Sequence, residues 1–218
     1  MDAQDTIISD ESTFLILKCD MKTIFEPENV GISPIWSNDP NFRYNSDFEI
    51  KDYQLYLKNL IITGDIGYPI INGIKPEPFY SEKGPETVQY NNIMISVKFS
   101  GAIVIGNTFI KNYGTEDEIP CYSYKVVWEL IFQDGRLVTT IDHSKAMLRV
   151  RKNLDLGLRN LNKTRDMKCI KHYIKFSFVG DYDRPGKMSK CSNKKKIPFQ
   201  SYAQKIKNYY SRIKSFQI

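Results

Sequence analysis

Between residues 122 and 141 the sequence admits one reading above all others. Tyr122, Tyr124, Val126, Trp128, Leu130 and Phe132 occupy every even position, with Lys125 and Glu129 pointing the other way. Successive side chains of a strand face opposite sides of a sheet, so this period of two predicts a strand with one apolar face. Asp134-Gly135 then supplies the positive φ angles of a tight two-residue turn, and residues 137–141 return as the partner strand.

Other strand signals precede this hairpin. Residues 13–18 form a short apolar run that fits a buried strand or a helical turn. Tyr53, Leu55, Leu57 and Ile61 sit at odd positions with Gln54 and Lys58 between them, and Ile93, Ile95, Val97 and Phe99 alternate with Ser96 and Lys98. Gly101 and Gly106 bracket Ala102-Ile103-Val104-Ile105, a strand expected to be buried on both faces. Residues 1–12 are polar and read as a frayed end. Residues 26–48 and 72–85 are rich in proline and read as long loops.

After residue 141 the period changes. Asp142 or Ser144 is placed to cap a helix, and Met147, Val150, Leu154, Leu158 and Leu161 recur at helical spacing, with Gly157 weakening that helix. Thr164 is placed to cap a second helix carrying Met167, Ile170 and Ile174. Strands followed by helices predict an α+β fold: an antiparallel sheet, sandwich-like or a partly closed barrel, followed by a basic helical C-terminal segment. The divisions expected are an acidic β-rich domain over 1–144, a basic helical hairpin packed on it over 145–180, a basic linker over 181–197 and an amphipathic helix over 198–218. Phe199, Tyr202, Ile206, Tyr209, Ile213 and Phe216 line one side of that last helix, and a basic amphipathic helix also admits a membrane-surface reading.

Charge is divided more sharply than the net of +6 suggests. Residues 145–218 hold 20 Lys/Arg against 4 Asp/Glu, a net of +16, while residues 1–144 carry −10. A basic half of this kind suggests a polyanionic partner. The bland reading is that the basic helices neutralise their own acidic domain. Arg149, Arg151, Lys152, Arg159, Lys163, Arg165, Lys168, Lys171 and Lys175 crowd the two predicted helices. Of these, Arg149, Lys152, Arg159, Lys163, Arg165, Lys168 and Lys171 are the candidate binding residues, with Lys152, Arg159 and Lys163 on roughly one helical face. Phosphate binding asks for little beyond such a surface, and interleaved rings such as Tyr173 and Phe176 add the capacity to stack bases. No motif of a known nucleic-acid module accompanies them.

Catalytic and metal signals are weak. Gly101 and Gly106 have the glycine spacing of a phosphate-binding loop, but Asn107-Thr108 replaces the required lysine. Asp142-His143 is the one acid–histidine neighbour pair, and adjacent residues rarely face each other. Glu129 is placed on the polar face of the best strand, where exposed glutamates are common. Cys169 and His172 lack the second ligand pair that a zinc site needs. No metal or cofactor is expected. The four cysteines are dispersed, which fits free thiols in a reducing, cytoplasmic compartment. Nothing approaches the roughly 18 apolar residues of a membrane-spanning helix, and the acidic first residues do not read as a targeting signal.

The leading expectation is therefore a non-enzymatic binding protein whose basic helical part engages an acidic partner, nucleic acid or protein. The rivals are a small-ligand-binding β-barrel or sandwich whose pocket is lined by Tyr122, Tyr124 and Trp128, and a hydrolase or nuclease with an unplaced site.

Overall fold

The computed structural model describes residues 5–33, 44–63, 67–79, 87–114, 119–157 and 163–182. Most of the expected linker and all of the expected C-terminal helix over 198–218 lie outside them, as do Arg159, Leu158 and Leu161. The fold is a mixed, mostly antiparallel β-sheet followed by two α-helices. No helix among the described residues is long and apolar enough to cross a membrane. The chain divides into two compact units: residues 1–16, 23–100 and 132–138 form the first, and residues 17–22, 101–131 and 139–218 the second.

Strands β1 (Thr6–Ser9), β2 (Ser12–Cys19), β3 (Asn45–Lys51), β4 (Gln54–Thr63), β5 (Glu77–Phe79) and β6 (Thr87–Tyr90) build the first unit in the order β2-β1-β3-β4-β6-β5. The expected frayed end is in fact β1, because Ile7 is completely buried and anchors it. β1 pairs antiparallel with β2 and parallel with β3, so the sheet is mixed rather than wholly antiparallel. A parallel pair cannot be joined by a tight turn, and here the antiparallel β2 brings the chain back along β1 before it enters β3. The proline-rich stretch therefore ends at Asn45 instead of running to residue 48, and Phe48 is core.

The period-two reading of β4 holds only for its first half. Leu55 and Leu57 face inward, but so do Leu60 and Ile62, while Ile61 does not. Between the pairs Asp47↔Asn59 and Phe48↔Leu57 the register skips Lys58, so a bulge at Lys58 moves the inward phase from odd to even positions. Tyr53 is not on the strand face: it sits in the β3–β4 turn at φ 62° and is 67% exposed. In the 93–99 run only β7 (Ile95–Ser96) pairs in the ladder, with β4, because Asn92 and Met94 take left-handed φ angles. Ile93, Val97 and Phe99 are nonetheless buried as the alternation predicts.

Asp5, just before β1, accepts the backbone N–H of Ser46 at 2.7 Å. Burial, only partly offset by that bond and reinforced by the charge of Asp47, pushes its carboxyl up from 3.8 to about 6. A raised folded-state value favours the protonated form, so the contribution of this group is full below its ordinary range and is lost as pH rises through about 6. Asp5→Asn keeps the acceptor and removes the charge. It is expected to stabilise the protein by about 2 kcal/mol near pH 7 and hardly at all near pH 4, measured by urea unfolding at both pH values.

The second unit holds β8 (Gly101–Phe109), most of β9 (Tyr124–Gln133), the end of β10 (Arg136–Asp142) and the helices α1 (Ser144–Asp155) and α2 (Lys163–Ser177), with strand order β10-β9-β8. The 122–141 hairpin forms as expected, with Asp134 at φ 48° and Gly135 at φ 85° in its turn. β8 is buried from Gly101 to Gly106, as expected. A side chain at Gly106 would meet Leu17 Cδ1 at 2.6 Å and Tyr124 Cγ at 2.9 Å, so Gly106 serves close packing. α1 stops at Asp155, short of the apolar stripe read to Leu161, because Gly157 takes φ 76° and turns the chain out of the helix.

Candidate functional site

Strand β9 carries an ionisable group in its interior. Glu129 is 0% exposed, contrary to its expected place on a polar face. Val127 and Ile131, two residues to either side, are buried on the same face, so β9 is covered on both sides over this stretch. The carboxylate is fully engaged. His143 Nε2 lies 2.9 Å from Oε2, the backbone N–H of Val179 reaches both oxygens at 3.0 Å, and the Gly180 N–H and Tyr182 hydroxyl reach Oε1 at 2.8 Å each. Burial alone would push Glu129 up. The hydrogen bond and charge of His143 and the N–H groups of Gly180 and Val179 outweigh it, and hold the group below the usual carboxylate range.

Each partner is positioned by a different element. His143, 1% exposed, precedes α1, and its carbonyl accepts the N–H of Met147 in the first turn. Asp142 does not engage the imidazole; its Oδ1 accepts the Ser144 N–H, which satisfies one free donor of the helix start. Residues 178–182 follow α2. Phe178 packs edge-on against His143 at 4.6 Å and against Tyr182 at 5.7 Å. Burial, with the Glu129 charge and hydrogen bond added, pushes the Tyr182 hydroxyl well above its ordinary value, so it stays a donor. Val179 and Tyr182 also pack on the apolar cluster of Ala102, Ile131 and Ile141. A carboxylate accepting this many bonds has no lone pair left over for a substrate. The arrangement is a clasp that ties the segment after α2 to β9 and to the start of α1.

The helices show where the predicted binding residues stand. On α1, Arg149 and Lys152 are exposed, and Lys145 shares their face at helical spacing. Arg151, on the opposite face, is buried and donates through Nη1 to the carbonyls of Tyr122 (2.9 Å) and Tyr124 (2.8 Å), so it is structural. Lys163 opens α2, and Arg165, Lys168 and Lys171 are exposed along it. Lys152 and Lys163 do not share one helical face, because α1 ends at Asp155 and Lys163 begins α2, while Arg159 lies outside the described residues. On α2, Asp166, Met167, Ile170, Ile174 and Ser177 form the half-buried face. The exposed face carries Arg165, Lys168, Lys171, His172 and Lys175 together with the rings of Tyr173 (42% exposed) and Phe176 (48%).

A cleft of about 320 Å³ opens at the end of α2, lined by Lys18, Lys175, Phe176, Phe178, Asp181 and Tyr182. Tyr122, Tyr124 and Trp128 line none of it; Tyr124 is instead packed on Phe109 at 5.5 Å. Burial pushes the Cys121 thiol up to about 11, which leaves it a poor nucleophile. Among the described residues no three His, Cys, Asp or Glu gather to hold a metal ion.

The Glu129 clasp had one signal in the sequence, an acidic residue flanked at i−2 and i+2 by Val127 and Ile131. Its partners at 179–182 are 50 or more residues away, beyond the reach of local pattern. Comparison with protein-family models, curated proteins and solved structures finds no match.

Proposed function

We propose that this is a non-enzymatic binding protein whose basic helices engage nucleic acid. The observation that carries the reading is the exposed face of α2, where Arg165, Lys168, Lys171, His172 and Lys175 stand beside the solvent-facing rings of Tyr173 and Phe176. Cations supply sequence-independent attraction to phosphates, and exposed rings supply stacking surfaces for bases. An acidic protein would use the cations and leave two large rings in water, so the rings favour nucleic acid. On this reading the basic helices within residues 145–180 form the binding part, and the basic residues of 181–218 add to its charge. Among the described residues Cys19, Cys121 and Cys169 form no disulfide, which fits a reducing intracellular compartment.

Fluorescence-anisotropy titration with labelled single-stranded and duplex oligonucleotides tests the reading. Neutralising roughly five phosphates on a single strand predicts a loss of affinity of about 100-fold between about 50 mM and about 200 mM salt. An absence of binding at the lower salt overturns the proposal. It would point to an acidic protein partner or to neutralisation of the helices by the chain's own acidic residues.

A further inference from the structure

We infer that the cleft lined by Lys18, Lys175, Phe176, Phe178, Asp181 and Tyr182 is a subsite for one nucleotide of a single strand. The inference rests on the nucleic-acid reading and names the part of the surface that touches a base.

Size, chemistry and rigidity point the same way. The cleft holds about 320 Å³, at the lower end of small-molecule sites, which suits one base with its sugar and excludes a base pair with its backbone. Lys18, from β2, and Lys175, from α2, both line the cleft, so two cationic side chains border a site suited to the single negative charge of a phosphate diester. Phe176 is half exposed, and the His172 ring packs on it at 4.4 Å and restricts its orientation. Phe178 and Tyr182 are held by edge-on packing at 5.7 Å, and the Tyr182 hydroxyl is bonded to Glu129 at 2.8 Å. Phe178, 7% exposed, and Tyr182 are packed into the protein, so the half-exposed and His172-restrained ring of Phe176 is the stacking surface, with little ordering cost left. The single carboxylate, Asp181, is a hydrogen-bond acceptor and disfavours a second phosphate. It favours a base edge bearing an exocyclic amino group.

The experiment uses the full chain and three labelled probes of equal length: oligo-deoxyadenylate, oligo-deoxythymidylate and an abasic strand. The deoxyadenylate strand is expected to bind roughly tenfold more tightly than the abasic one, the gain from stacking one base, with deoxythymidylate between them. Phe176→Leu keeps an apolar side chain at a half-exposed site and is expected to erase most of that difference. Equal binding of all three probes by the unaltered protein overturns the subsite while the polyanion reading stands. So does a Phe176→Leu loss that is the same on abasic and base-bearing strands. Failure of every probe to bind overturns both, and the abasic strand separates the two failures.

Discussion

Glu129→Ala is expected to lower the unfolding free energy by about 3–5 kcal/mol, the cost of leaving buried, formerly paired groups without their partner. The substitution strands the Val179 and Gly180 N–H groups, the Tyr182 hydroxyl and His143 Nε2 around an empty space. Glu129 and His143 are 0% and 1% exposed, so bulk water does not solvate these groups in the folded protein. For a chain of this size the melting temperature should fall by about 10 °C. Glu129→Gln keeps one acceptor oxygen but turns an NH₂ group towards donors, so it should cost about half as much. Urea unfolding near neutral pH measures both. Amide exchange at Val179 and Gly180 should accelerate in either variant more than exchange within α1. A loss below about 1 kcal/mol for the alanine variant would mean that the clasp does not hold the segment after α2.

The same group sets an acid limit. Because its folded-state value is depressed, its contribution is present above the ordinary carboxylate range and is lost as pH falls through the folded value. Asp5 acts in the opposite direction, its contribution being lost as pH rises through about 6. Glu129→Gln should therefore flatten the acid side of the stability profile, while Asp5→Asn lifts the neutral side.

How far local pattern reaches is clear from the turns. Three two-residue turns join β1–β2, β3–β4 and β9–β10, each with positive φ at both central residues. Asp134-Gly135 was legible because glycine occupies that region without steric cost. Its glycine is also required, since a Cβ at Gly135 would run into the Val97 carbonyl oxygen and Gln54 Nε2. Asp10-Glu11 and Asp52-Tyr53 adopt the same conformation with side chains that disfavour it. The antiparallel pairings Ser9↔Ser12 and Lys51↔Gln54 hold them there, and those pairings are tertiary information. The Lys58 bulge is of the same kind, because nothing in 54–63 announces where the register shifts. That cations crowd α1 and α2 was legible in composition and period, but which of them share an exposed face was not. Nor was the burial of Arg151, because Val150 and Lys152 beside it face opposite environments and only the carbonyls of Tyr122 and Tyr124 decide which one it joins.

The exposed cations give the largest expected effect on binding. Arg149→Glu, Lys152→Glu and Lys168→Glu together are expected to weaken oligonucleotide binding by at least roughly 100-fold at low salt, since each reversal removes one phosphate contact and adds a repulsion. The three positions are exposed on α1 and α2, so unfolding transitions should move by no more than a degree or two. The magnitude alone would not distinguish loss of contacts from a general change in net charge. The salt dependence does: three lost phosphate contacts on a single strand should flatten the slope of log affinity against log salt by about 2. A control bearing the same total change at Lys51, Lys98 and Lys125, exposed residues outside the helices, separates the two causes. If it loses as much affinity as the helix variant, the attraction belongs to the whole molecule's charge and the helices are not the binding surface. If it retains most of its affinity and its full salt slope, the phosphates are held where α1 and α2 place their cations.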